Sequence, residues 1–331
     1  MVRFISWKSR ARLYYNQVKC SCLPGLSLGL FICLAPSSFA QQTLPQVETE
    51  RQFNIDAGLR TDDPRPSSRV TDNIAPSSPG DDDLGLQQIL SRRERYKAFT
   101  IFGDVSSYYT SNAFLTKRNT LSDAYVVGQV GALWQPQIVG NLFGELSLRQ
   151  QFFRYDEFDV LDFNAFNTGA GLFYLLSDFG DILVSLRYNY QRLSPRDSFA
   201  AFYENHSITP GAQKVFPFSR AHYAYVGWNS QISFTDPNGP QRDEHSLFVG
   251  YSANLTRSLV AQAYYRLAYF DYSRGNREDL NQTLSGGLSY NFTDWLSLNG
   301  SVAGTFNHSN QPAFDYDSVS VGGGLSMRYR F

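Results

Sequence analysis

From Ser318 to Phe331 the chain alternates with a period of two. Val319, Val321, Gly323, Leu325, Met327, Tyr329 and Phe331 fall on one side, and Ser318, Ser320, Gly322, Gly324, Ser326, Arg328 and Arg330 on the other. A β-strand sends successive side chains to opposite faces, so this spacing makes a pleat with one greasy face and one wet face. The pattern recurs upstream. Leu142, Leu146, Leu148 and Phe152 oppose Glu145, Ser147, Arg149 and Gln151, while Ile182, Val184, Leu186 and Tyr188 oppose Ser185, Arg187 and Asn189. Leu259, Ala261, Ala263, Tyr265 and Leu267 oppose Gln262, Tyr264 and Arg266, and Leu284, Leu288 and Tyr290 oppose Thr283, Ser285 and Ser289. A half-polar pleat also explains why a chain with 15% aromatic residues has a mean hydropathy of only -0.32.

Cutting at turn signals gives twelve strands, at residues 98–112, 122–135, 140–155, 164–176, 181–194, 204–217, 221–235, 244–255, 258–272, 281–292, 295–307 and 317–331. The sixth alternates poorly around Pro210, Lys214 and Pro217, and is kept because the count is otherwise odd. Connections alternate in length. Tight ones fall at 136–139, 177–180, 218–220, 256–257 and 293–294, and longer polar ones at 113–121, 156–163, 195–203, 236–243, 273–280 and 308–316. Alternate short turns and long loops make an up-and-down meander with both ends of the chain on the short-turn side.

No segment beyond the N-terminus approaches eighteen uncharged apolar residues, so helical membrane spans are not expected. Residues 1–24 carry Arg3, Lys8, Arg10, Arg12 and Lys19 and no acid; an apolar run from Gly25 to Ala35 then leads to Ser38-Phe39-Ala40. This is the pattern of a secretory signal peptide cleaved before Gln41. Its removal takes all three cysteines, Cys20, Cys22 and Cys33, so disulfide and thiolate chemistry are not expected in the mature chain. Leu30-Phe31-Ile32 ahead of Cys33 lacks the small residues of a lipidation site. It also takes five basic residues, leaving an excess of six acids, which gives no basis for nucleic-acid binding. Residues 41–82, with five prolines and Asp81-Asp82 at the end, read as a disordered leader; 84–97 suit a short helix, a plug or a tether.

An exported chain of two-faced strands resembles the bacterial outer-membrane β-barrel proteins of the porin-like kind, over residues 98–331. The most specific element is the last strand, where Leu325, Met327, Tyr329 and terminal Phe331 look like the signal read by the barrel assembly machinery. The resemblance implies a closed antiparallel transmembrane barrel of about twelve strands in the bacterial outer membrane, because lipid cannot satisfy an open sheet edge. It implies outer-membrane lipid, lipopolysaccharide and the assembly machinery as partners. Trp134, Tyr155, Phe179, Trp295, Tyr316 and Tyr329 near strand ends suit interfacial girdles; Trp228, in mid-strand, does not. In a soluble sandwich the apolar face would instead point inward, with glycines such as Gly286 and Gly300 poorly filling a core.

Chemistry is sparse. His206, His222, His245 and His308 have no His or Cys neighbour at ligand spacing, so neither a metal nor another cofactor is expected. Some barrels of this class cleave lipids with a Ser/His/Asn set. Here His245 with Ser246 is a loose candidate, and the two fall on opposite faces of the strand. An autotransporter-type translocator is a further alternative, with 84–97 as the pore helix, but the leader is too short for a passenger. The wet face carries Asp104 and Glu145 against Arg149, Arg187, Arg266, Arg328 and Arg330, with Gln262 among them. Excess arginine around a lumen favours anions. The expectation is therefore a non-enzymatic passive channel for small solutes with mild anion preference. The alternative is a non-conducting structural barrel whose arginines and acids pair, since twelve strands lie between the filled eight-stranded and open sixteen-stranded cases.

Overall fold

The structure is a computed structural model that describes residues 97–219 and 221–331. The expected signal peptide, leader and short helix fall outside the described residues, save Lys97. Thirteen strands follow one another: β1 (Phe99–Thr110), β2 (Asp123–Trp134), β3 (Gln137–Val139), β4 (Leu142–Tyr155), β5 (Phe163–Leu176), β6 (Ile182–Pro195), β7 (Tyr203–Pro217), β8 (His222–Asp236), β9 (Arg242–Asn254), β10 (Leu259–Tyr272), β11 (Glu278–Asn291), β12 (Leu296–Ser309) and β13 (Tyr316–Arg330). Twelve of them form the wall. Sequence neighbours pair antiparallel from β4 to β13, β1 pairs with β2 and β13, and β2 pairs with β4, so the sheet closes. The three-residue β3, inside a connection read as a tight turn, pairs only with the start of β4.

Twelve to fifteen residues per wall strand exceed the ~9–11 that a tilted strand needs to cross a bilayer. Their alternation has the sense expected of a membrane barrel: the apolar stripe is exposed. Val105 is 62% exposed, Leu284 57%, Val302 48% and Met327 55%, whereas their in-strand neighbours Ser106, Thr283 and Ser285 are buried in the interior. This rules out the soluble sandwich, which would bury that stripe. β7, the strand least legible in sequence, is complete. Its ladder to β8 runs from Glu204 to Ile208 and resumes at Gly211, skipping Thr209 and Pro210. A proline has no N–H to give the ladder, and that interruption is what weakened the pattern.

Inward positions are shaped by close approach. Gly250 of β9 stands between Tyr225 and Tyr264 in register, and a Cβ there would lie 2.0 Å from Tyr225 Cζ, because the Tyr225 ring fills the space. Gly250→Val must expel a ring that is 3% exposed, and is expected to lower stability by about 1–3 kcal/mol. Loss of the heat-resistant folded band at lower temperature on cold-loaded gels checks this.

The aromatic girdle needs correction. Trp134, Phe179, Trp295 and Tyr329 do face outward near strand ends, 44–70% exposed. Tyr155 (5% exposed) and Tyr316 (7% exposed) instead point into the barrel. Trp228 is 42% exposed in mid-strand, within the outward apolar band.

Candidate functional site in the barrel lumen

Register places all eight residues expected to line the lumen on the face opposite the exposed apolar stripe. Asp104 neighbours Gln129 and Ser326; Phe102 neighbours Arg328, and Thr100 neighbours Arg330. Glu145 and Arg149 stand beside Gly171 and Asn167, Arg187 beside Gly171 and Thr209, Gln262 beside Ser252 and Gly287, and Arg266 beside Phe248 and Thr283. They do not form one cluster. The long-loop half and the short-turn half of the interior differ in character.

At the loop end the interior is packed. Tyr125, Val127, Phe153, Tyr155, Phe163, Ala165, Leu193 and Tyr203 converge with Ala113 and Leu161 from two loops into one buried cluster. Phe153 and Phe163 stack at 4.3 Å with 10° between planes, both 0% exposed. Polar anchors hold the two loops inward. Asn112 Nδ2 donates to the carbonyls of Thr116 (2.8 Å) and Asp317 (2.9 Å), and the Asp123 carboxylate accepts from the amides of Glu157 and Phe158 (both 3.1 Å). Lys117 ties the first loop to Asp315 of the last. The Lys117 hydrogen bond holds the Asp315 carboxyl below the usual carboxylate range, so the tie is present at neutral pH and fades as pH falls through that lowered value.

Across the mouth, arginines are stacked and paired. The Arg242 guanidinium lies 3.8 Å from the Phe270 ring centre and donates to Tyr272 Oη (3.0 Å). Arg277 lies between Tyr272 (4.1 Å) and Phe314 (3.7 Å) and pairs with Asp279. Arg266, expected among the lumen-lining charges, is 4% exposed and pairs with Glu244, so it adds little to the field along a solute path. Buried guanidinium and carboxylate groups persist only when so compensated.

The short-turn half carries Arg149, Arg187, Arg328 and Arg330 against Asp104 and Glu145, with the rings of Phe102 and Phe173 between them. Arg187 Nε lies 3.5 Å from Glu145 Oε1 with both side chains partly exposed, and its guanidinium is 4.6 Å from the Phe173 ring. Arg149 lies over Phe102 at 5.6 Å. Four guanidiniums against two carboxylates leave a positive excess.

Hydrogen bonding accounts for three of the histidines. His206, His222 and His245 all lie on the lipid-facing side, and each Nδ1 meets a cross-strand hydroxyl: Tyr188 at 2.7 Å, Tyr251 at 2.8 Å and Ser230 at 2.7 Å. Ser246 faces the interior, where it donates to Asn229, so it is no partner for His245. The Ser230–His245 pair sits between strands paired on both sides, which commits nearby backbone amides to the sheet rather than to an oxyanion. Two Tyr–His pairs of the same geometry make it one of three ways of satisfying a ring. Among the described residues no three metal-ligating side chains converge.

Sequence reasoning missed Arg242, Glu244, Arg277 and Asp279 and the aromatic packing. Arg242 and Asp279 lay in stretches read as loops, because β9 and β11 begin two or three residues earlier than the turn signals indicate.

No family model matches this sequence, and no curated protein matches it. Solved structures do. An outer membrane channel from Pseudomonas putida F1 is similar with a TM-score of 0.53 at 9% identity, over 71% of this chain and 97% of that one. The β domain of a Bordetella autotransporter (TM-score 0.40, 13% identity, 71% and 100% of the two chains) and an anion-selective porin from Comamonas acidovorans (0.36, 10%, 71% and 99%) are more distant, and only the first bears on the fold. A closed antiparallel barrel with its apolar stripe outward and polar residues inward defines the fold class: a β-barrel of the bacterial outer-membrane type.

Proposed function

We propose that the barrel is a passive channel for small solutes with mild preference for anions, and no enzyme. The observation that carries this is the short-turn half of the lumen, where Arg149, Arg187, Arg328 and Arg330 outnumber Asp104 and Glu145. Fixed guanidiniums attract anions by charge and offer hydrogen bonds to them. The packed loop end favours a second reading, a barrel closed at rest. Residues 84–97, at the end of the 41–97 leader, are the proposed plug or tether, Leu325, Met327, Tyr329 and Phe331 the proposed signal to the assembly machinery, and lipid and lipopolysaccharide the partners of the outward face.

Planar-bilayer recording of the refolded protein, with and without residues 41–97, tests this. Current is expected, larger after truncation, with a reversal potential favouring chloride over potassium. The double substitution Arg149→Gln and Arg187→Gln is expected to abolish that preference and leave the size of the conductance within about twofold, since the charges lie in a partly screened lumen. Silence in both forms would replace the channel by the closed barrel.

A further inference from the structure

The lipid-facing side of the wall is dented between β11 and β2. One outward cross-strand row reads Leu288, Gly300, Gly323, Ser107 and Val126, so three small residues stand between two branched aliphatic ones. The adjacent row on the short-turn side, with Tyr290, Leu298 and Leu325, keeps full-sized side chains. Between them lies an open groove of about 570 Å³, floored by the backbone of Gly300 and Gly323. That volume falls within the ~300–1,000 Å³ of small-molecule pockets. No neighbouring side chain fills it. A Cβ at Gly300 would have nothing nearer than the Gly322 carbonyl oxygen at 4.0 Å, whereas one at Gly323 would lie 2.5 Å from the Asn299 carbonyl oxygen. Glycine at 323 follows from the close approach of β12, and the space above Gly300 stays open.

Position and charge say what fits the groove. Among its lining residues Leu259 opens β10, Tyr290 is the penultimate residue of β11 and Leu298 the third of β12, so it lies in the short-turn half of the wall. Short turns of barrels of this type face the periplasm, where the membrane leaflet is phospholipid. Arg257 stands in the tight turn that leads into Leu259, whose carbonyl accepts from the amides of Leu255 and Thr256. It is exposed and, among the described residues, has neither hydrogen bond nor ion pair, although Asp294 lies in the next short turn. An apolar groove that ends beside an uncommitted guanidinium has the two halves of a phospholipid site. Its walls suit an acyl chain, and the guanidinium binds phosphate through paired N–H donors at the level of the headgroups.

We propose that this groove holds one acyl chain of a periplasmic-leaflet phospholipid whose phosphate is bound by Arg257. The assignment rests on the reading that lipid covers the outward face, and names one lipid held at one place on it.

Native mass spectrometry of the detergent-solubilised full chain, titrated with dioleoylphosphatidylglycerol, tests it. One lipid per barrel is expected to be held about tenfold or more tighter than any that follow. Gly300→Trp, which sends a ring into the groove, is expected to erase that first step, and the milder Gly300→Leu to weaken it. Leu172→Trp, on the outward face of β5 where Leu172 is 49% exposed, is expected to leave it unchanged. Arg257→Gln is expected to weaken retention about fivefold, the share of one basic residue at an anionic lipid surface. Dioleoylglycerol, with the same chains and no phosphate, should bind at that weaker level to parent and variant alike. Heat-modifiable migration checks that each variant is folded, and Gly300→Leu carries the test if Gly300→Trp is not. No distinct first lipid, retention equal in the Gly300 variants and the parent, or a preference for lipopolysaccharide, the lipid of the other leaflet, overturns the site. Quenching of the outward tryptophans by brominated acyl chains tests the membrane reading separately: quenching with no lipid selectively held removes the groove alone.

Discussion

Placing an arginine at Val302 is expected to prevent stable assembly of the barrel, whereas one at the adjacent Ser301 is expected to be tolerated. Val302 is 48% exposed at the middle of β12, flanked in register by Gly286 and Val321 on the same outward face. A guanidinium there sits near the bilayer midplane, at a cost of about 2–4 kcal/mol, a large fraction of the stability of a typical domain. Ser301 lies one residue away and faces inward between Gly287 and Gly322, where a long polar side chain can reach the lumen. Two substitutions of identical chemistry, one residue apart, should therefore differ by most of that energy. Urea titration of refolding into lipid vesicles measures it. Equal effects at the two positions would mean that the wall is not two-faced.

The second large effect concerns the packed loop end. Phe163→Ala removes a ring that is 0% exposed and stacked on Phe153, and is expected to cost about 3–5 kcal/mol by loss of burial and creation of a cavity. Loss of stability alone would be unsurprising in any core. This cluster, however, is built of inward-facing wall residues together with Ala113 and Leu161 from the loops, so its weakening should also loosen the loops over the mouth. The variant is expected to show a larger single-channel conductance than the parent, and faster proteolytic cleavage within residues 111–122. Destabilisation with unchanged conductance would mean that the cluster does not limit passage.

Strand positions were readable because a membrane barrel obeys one simple rule, apolar out and polar in, along every strand. Where the backbone breaks that regularity the signal fails, as at Pro210, whose missing N–H interrupts the β7–β8 ladder. Parity was available for more than it was used for. Tyr155 is in phase with Glu145, Arg149 and Gln151, and Tyr316 with Ser318 and Ser320, so their inward direction follows from the same alternation that identified the lumen. The interior of the mouth was not readable, because Phe114, Phe158 and Leu161 lie in aperiodic loops and are drawn inward by anchors such as Asn112 and Asp123, whose polar side chains resemble those of any loop. Charges in the wall were partly legible: Arg266 could be assigned to the inside, but its neutralisation by Glu244 depends on β9 and β10 lying side by side.

The face that touches hydrocarbon can be observed without altering the protein. Apart from Trp7 in the expected signal, the tryptophans are Trp134, Trp228 and Trp295, all 42–48% exposed on the outward face. Their fluorescence, recorded after reconstitution into vesicles whose lipids carry bromine on the acyl chains, should be strongly quenched, and aqueous iodide should have little effect on Trp228. Emission unaffected by brominated chains and readily quenched by iodide would contradict an apolar stripe immersed in the membrane.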